Sequence, residues 1–187
     1  MDPTLVLPLA FLFNGATLAL AFDGIVQAIY VLSTSKRTLT VAILLVNNIL
    51  FFTYCCVNLA QITASLPNCT SLTYTANFFG HATMITLDAL LLLKCWIVCR
   101  KNRDIGVLLL LALLHRLGWS ICDMVMTYAI PVNGVCVYNQ YPASLAGFSS
   151  ADIICDGLAT ICAIMMNFHE FGSSVARFAA FVFKENS

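Results

Sequence analysis

The stretch NFFGHATMITLDALLLLKCWIVC, from Asn77 to Cys99 and closed by Arg100-Lys101-Asn102-Arg103, decides how the rest of the chain is read. At about 1.5 Å per helical residue it is long enough to cross a hydrocarbon layer of about 30 Å, and it stops at a basic cluster. Within it Asn77, His81, Asp88 and Cys95 follow at steps of 4, 7 and 7, which stacks them on one face of a helix. The segment therefore implies a membrane-spanning helix with a polar stripe and a defined direction.

The whole chain agrees with that environment. Of its 187 residues, 60% are hydrophobic and 10% charged, with a mean hydropathy of +0.90, far from the soluble balance of about half apolar and a quarter charged. A formal net charge of zero argues against a nucleic-acid surface, which would require clustered, exposed Lys and Arg. Five spans fit the length: about 5–32, 41–62, 76–99, 105–130 and 149–171. They leave no room for a separate soluble domain, so the expected fold is an all-α polytopic bundle forming one transmembrane domain. Beyond them Phe171, Val175, Phe178 and Val182 recur at steps of 4, 3 and 4. Residues 172–187 are thus expected as an amphipathic helix in the inner interface, or as an extension of helix five.

The first span competes with a cleaved signal peptide, because Ala19-Leu20-Ala21 resembles a small-residue cleavage site. A retained helix is preferred, since Met1-Asp2-Pro3-Thr4 carries no basic side chain and cleavage would put Arg100, Lys101 and Arg103 outside. Counting cations gives the threading. Lys36, Arg37, Arg100, Lys101, Arg103, Arg177 and Lys184 fall on one side of the five-span arrangement, Lys94 and Arg116 lie within spans, and the opposite loops hold none. The amino terminus is then expected outside and the carboxyl terminus in the cytoplasm. In the outer loop 63–75, Asn68-Cys69-Thr70 fits a glycosylation acceptor at Asn68.

Most of the nine cysteines fall within spans, where a thiol behaves as a small apolar group; Cys55, Cys56, Cys95, Cys122, Cys155 and Cys162 are read this way. Cys69 and Cys136 lie in the two outer loops, on an oxidising side, and are the candidate disulfide. Cys99, beside the basic cluster, is either a plain thiol or a palmitoylation site.

Charge inside a bilayer costs about 2.5 kcal/mol or more per group, so such residues face the bundle interior with partners. By helical rise, Asp88 lies about 18 Å from the outer end of helix three and Arg116 about 16 Å from the inner end of helix four, which makes them candidates to pair. The same arithmetic brings Asp23 and Lys94 toward the inner leaflet as a second candidate ion pair, although Lys94 could also snorkel to the headgroups. Helix four carries Arg116, Ser120, Asp123 and Thr127 on one face, and helix five carries Asp152, Asp156, Asn167 and Glu170. Two readings stand side by side: hydrogen-bonded glue between helices at about 1 kcal/mol per bond, or a ligand, ion or proton site built from His81, Asp88, His115, Arg116, Asp123 and Asp156.

No HExxH, GxSxG, paired CxxC or phosphate-binding glycine pattern is present, so no enzymatic activity is expected. His81, His115 and His169 fall at different depths, so neither a metal nor a haem cofactor is expected.

An outside amino terminus, Asn68-Cys69-Thr70 before helix three, a Cys69 to Cys136 bridge into the loop before helix five, and basic inner loops together resemble the layout of seven-transmembrane-helix receptors. The resemblance covers helices one to five and implies a shortened, fungal-type relative, the chain ending where the inner loop before a sixth helix would start. Helix three closes with Cys95-Trp96-Ile97-Val98-Cys99-Arg100 in place of an Asp-Arg-Tyr type of motif. The expected activity is a receptor-like or sensory bundle with a polar interior, binding a ligand near Asp123, Asp152 and Asp156. The alternatives are a small-solute or proton carrier or channel, and a non-catalytic membrane subunit. Lipid is the expected surrounding, with a helical membrane partner or a second copy as protein partner. The span lengths suit plasma membrane and endoplasmic reticulum alike.

Overall fold

The computed structural model describes the backbone of residues 3–34, 38–63, 69–132 and 135–185, and the side chains of residues 11–34, 39–61, 69–130 and 138–165. Five helices, α1 (Pro3–Thr34), α2 (Thr38–Thr63), α3 (Cys69–Val98), α4 (Arg103–Met126) and α5 (Pro142–Glu185), are joined in chain order, with β1 (Tyr128–Val132) and β2 (Val135–Asn139) between the last two. Among the described residues, all five are long and apolar enough to cross a membrane. The chain is a multi-pass integral membrane protein, all-α but for one hairpin.

Contacts run α1 to α2, α2 to α3, then α3 to α4 and α5, with α4 on α5 and the hairpin on α3. Helix α3 is the common neighbour. Close approach is arranged with glycines. A side chain at Gly24 would meet the Asn48 amide oxygen at 2.6 Å, and one at Gly147 would overlap the Trp119 indole, so these positions let α1 reach α2 and α5 reach α4.

The polarity of α4 explains why it lies as it does. Leu109, Ala112, Arg116, Ser120 and Asp123 are buried, at steps of 3, 4, 4 and 3, while Leu108, Leu111, Leu114 and Val125 face outward. Such a helix turns its polar groups inward because lipid cannot satisfy them.

The helices overrun the expected spans. Cys69, expected in a loop before helix three, is the first residue of α3, and α5 starts at Pro142 rather than near Ser149. Helix α4 stops at Met126, four residues before the expected Ile130. There Thr127 turns extended, its N–H bonding the Asp123 carbonyl at 2.9 Å, and the chain enters β1. The expected loop is an antiparallel hairpin in which Tyr128 faces Asn139, and Ile130 faces Val137. Residues 172–185 continue α5 as helix; their side chains, and Asn68, lie outside the described residues.

At the opposite end, residues 99–102 turn α3 into α4. Arg100 and Lys101 adopt left-handed conformations, with φ of 56° and 57°. Such geometry costs an L-residue roughly 1–2 kcal/mol and persists where the surroundings hold it. Asn102 holds it: its side chain accepts from the N–H groups of Asp104 at 2.9 Å and Ile105 at 3.3 Å, and its carbonyl accepts from the Trp96 indole at 3.1 Å.

Candidate functional site

Two polar centres lie in the half of the bundle that carries the hairpin. The first is Asp123, wholly buried near the end of α4. Its Oδ1 accepts from Ser144 Oγ at 2.6 Å, Gln140 Nε2 at 3.0 Å and Thr127 Oγ1 at 3.1 Å. Its Oδ2 accepts from His81 Nε2 at 2.9 Å, Asn77 Nδ2 at 3.2 Å and, longer, the Tyr138 hydroxyl at 3.5 Å. The histidine contact requires the proton on Nε2. One carboxylate thus ties together α3, α4, β2, the segment after it and the first turn of α5. With both oxygens saturated, it is a structural knot. Outside the spans, the Tyr138 phenol is pushed up to about 12, first by burial and then by the Asp123 charge.

The second centre is Arg116, 1% exposed. Its Nε lies 3.4 Å from Asp88 Oδ2 and against Asp152 Oδ1, its Nη1 donates to Ser120 Oγ at 2.9 Å, and its guanidinium carbon lies 5.5 Å from the Phe148 ring centre. These charge contacts are poorly aligned. Asp88 Oδ2, Arg116 Nε and Asp152 Oδ1 are buried atoms without a hydrogen-bond partner among the described residues. A buried polar atom left in that state costs about 1–3 kcal/mol, more when charged.

Arg116 and Asp152 line a cavity of about 450 Å³, within the usual range for small-molecule sites of roughly 300–1,000 Å³. Its walls are Phe51, Tyr54, Asn58 and Gln61 of α2, Asn77 and His81 of α3, and Tyr138 and Gln140 above. The α2 residues share a face because they recur at steps of 3, 4 and 3. Asp152, its side chain 34% exposed, is the carboxylate most open to the cavity; the Asp88 side chain is 8% exposed.

Of the residues picked out from sequence, His81, Asp88, Arg116 and Asp123 gather in this region, and two do not. His115 is exposed on the outer face of α4, where Trp119 Nε1 donates to its Nε2 at 3.0 Å; adjacent to the inward Arg116, it must point about 100° away. Asp156 is exposed and makes no ion pair among the described residues. The Asp23–Lys94 pair is absent. Asp23 sits on an exposed face of α1, accepting from Gln27 Nε2 one turn on at 2.6 Å, while α2 stands between α1 and α3. Equal depth fixed neither helix order nor rotation. Cys69 is disulfide-bonded, whereas Cys55, Cys56, Cys95, Cys99, Cys122, Cys155 and Cys162 are free thiols. The expected partner, Cys136, has its side chain outside the described residues.

Tyr138, Gln140, Ser144 and Phe148 were not anticipated. For Tyr138 and Gln140 the signal was the hairpin, Asn133-Gly134 between two runs of strand-forming residues, whereas Ser144 and Phe148 lie beyond it on α5. No family model matches the chain, and no curated protein is significantly similar to it.

Proposed function

We propose that the chain is a receptor-like bundle, similar in layout to the first five helices of seven-helix receptors, that binds a small cationic or amine-bearing ligand in the hairpin-end cavity. The observation that carries this reading is Asp152, a partly exposed carboxylate that lines the cavity beside aromatic side chains. Three carboxylates, Asp88, Asp123 and Asp152, share the region with one guanidinium and one imidazole. Asp123 is saturated and Asp152 Oδ1 rests against Arg116, so the second oxygen of Asp152 is the group proposed to meet a cation, with Phe51, Tyr54 and Phe148 supplying aromatic surface.

The receptor layout draws support from Cys69, which opens α3 and is disulfide-bonded under the hairpin. Threading with the amino terminus outside draws support from the same bond. It stands at the end opposite the Arg100-Lys101-Arg103 cluster, while the free thiols Cys95, Cys99 and Cys162 gather near that cluster, as a reducing compartment allows. A carrier or channel is less well supported, because below Asp88 the described interior is an apolar layer of Leu92, Cys95, Leu109, Ala112 and Cys155. No enzymatic role is proposed.

The test is thermal stabilisation of the purified protein by a panel of small primary and quaternary amines. A stabilising amine should lose its effect in Asp152→Asn and keep it in Asp156→Asn. Indifference to the whole panel, or equal loss in both variants, counts against the reading. Proton or solute flux in proteoliposomes that disappears in Asp88→Asn would favour the carrier instead.

A further inference from the structure

At the opposite end of the bundle three thiols converge. Cys95 lies in the last turn of α3, Cys99 opens the turn just beyond it with its N–H bonded to the Cys95 carbonyl, Cys162 reaches them from α5, and the three sulfur atoms lie within 4.8 Å of one another. Around them are Leu92, Leu109, Trp96 and Leu158, an apolar layer that gives a thiolate nothing to pair with. Three facing sulfurs in such a layer are a donor set for one soft cation, whose charge would offset theirs. We propose that Cys95, Cys99 and Cys162 form a binding site for a monovalent copper ion, Cu(I).

Geometry and chemistry choose this ion. A point equidistant from the corners of a triangle of that side is about 2.8 Å from each, so an approach of about half an ångström per sulfur reaches the metal–sulfur distance of about 2.3 Å typical of thiolate sites. Two of the three ligands are four residues apart in the chain, Cys95 at the end of α3 and Cys99 in the turn that follows. Among the described residues no histidine or carboxylate joins the three sulfurs. Structural zinc requires four ligands, whereas soft thiolates without a hard donor select Cu(I), which is content with three. Binding is plain coordination: each thiol that ligates gives its proton to solvent, copper keeps its oxidation state, and no electron moves. The site is then left net negative, with the cations Arg100, Lys101 and Arg103 following Cys99 one, two and four residues along the chain.

The experiment uses the whole protein, purified in detergent under argon with a phosphine reductant. Cu(I) is titrated in competition with a colorimetric Cu(I) chelator, and the accessible thiols are mapped by maleimide labelling and mass spectrometry. One equivalent of copper should be held, with protection of Cys99 and Cys162 that is lost when excess chelator is added. Cys162→Ser and Cys95→Ser should each weaken the competition by about tenfold or more. Cys56→Ser and Cys122→Ser should leave it unchanged. The proposal is overturned if Cys162→Ser protein holds copper as tightly as the unaltered chain, or if copper gives no protection at Cys99 and Cys162. Tighter binding of Zn(II) than of Cu(I) in the same competition would overturn the choice of metal. Should the serine variants fail to fold, the labelling of the unaltered protein decides by itself.

Discussion

The two ends of this bundle are held by different physics. At the hairpin end, Asp123 gathers donors from α3, α5 and the segment after β2, and Arg116 stands between Asp88 and Asp152. At the turn end, Leu92, Leu109, Ala112 and Cys155 make a layer with no such bonds. In lipid the hydrophobic effect does not distinguish helix from tail, so apolar contact alone gives weak discrimination between alternative packings. The directional bonds at the hairpin end select the arrangement, and the other end follows by fitting together.

The largest test of that contrast is Asp123→Ala. It strands the donors of Asn77, His81, Gln140 and Ser144 in a buried site and should cost about 3–5 kcal/mol, read as a shift in the midpoint of denaturation in mixed dodecylmaltoside and dodecylsulfate micelles. A cost under about 1 kcal/mol would show that Asp123 is not the knot. Leu109→Ala at the turn end should cost less, about 1–2 kcal/mol against the 2–5 of a water-soluble core, because lipid removes most of the transfer term and leaves lost packing. If it matched Asp123→Ala, the two ends would not differ in kind.

The smallest effect belongs to Tyr138. Its folded pKa, about 12, lies above the ordinary phenol value of 10.0, so the folded state holds this proton more tightly than the unfolded one. The contribution is complete below about pH 10 and is lost as pH rises toward about 12. Tyr138→Phe should remove that part of the alkaline decline. An unchanged stability profile between the two proteins over this window would separate Tyr138 from the Asp123 knot.

Much of this was legible in the residues, for reasons that also mark where legibility stopped. Apolar length gives the five helices, because lipid penalises any unpaired backbone. It does not give their ends: Cys69-Thr70-Ser71-Leu72-Thr73-Tyr74 is helical yet too polar for a hydropathy reading. Helical rise fixes depth, and so made Asp88 and Arg116 candidates for each other. Depth is silent about rotation, and His115 was grouped with Arg116 although consecutive residues on a helix cannot face one interior. Order among helices was equally hidden from Asp23 and Lys94. The hairpin was written in Asn133-Gly134 with β-branched neighbours, but Ala129-Ile130 read as the tail of a span. Cys95 and Cys99 stand four residues apart in the sequence, while the approach of Cys162 from another helix exists only after folding.

The tight turn between α3 and α4 has a mechanical meaning. Trp96 bridges to the carbonyl of Asn102 and packs on Gly106, so at that end the two rods are stapled, and at the far end Asp123 clasps them again. A pair fastened at both extremities can pivot as one plank but cannot shear. Helix α5 is joined to this plank as well, at its first turn where Ser144 donates to Asp123 and one step further in where Asp152 rests against Arg116.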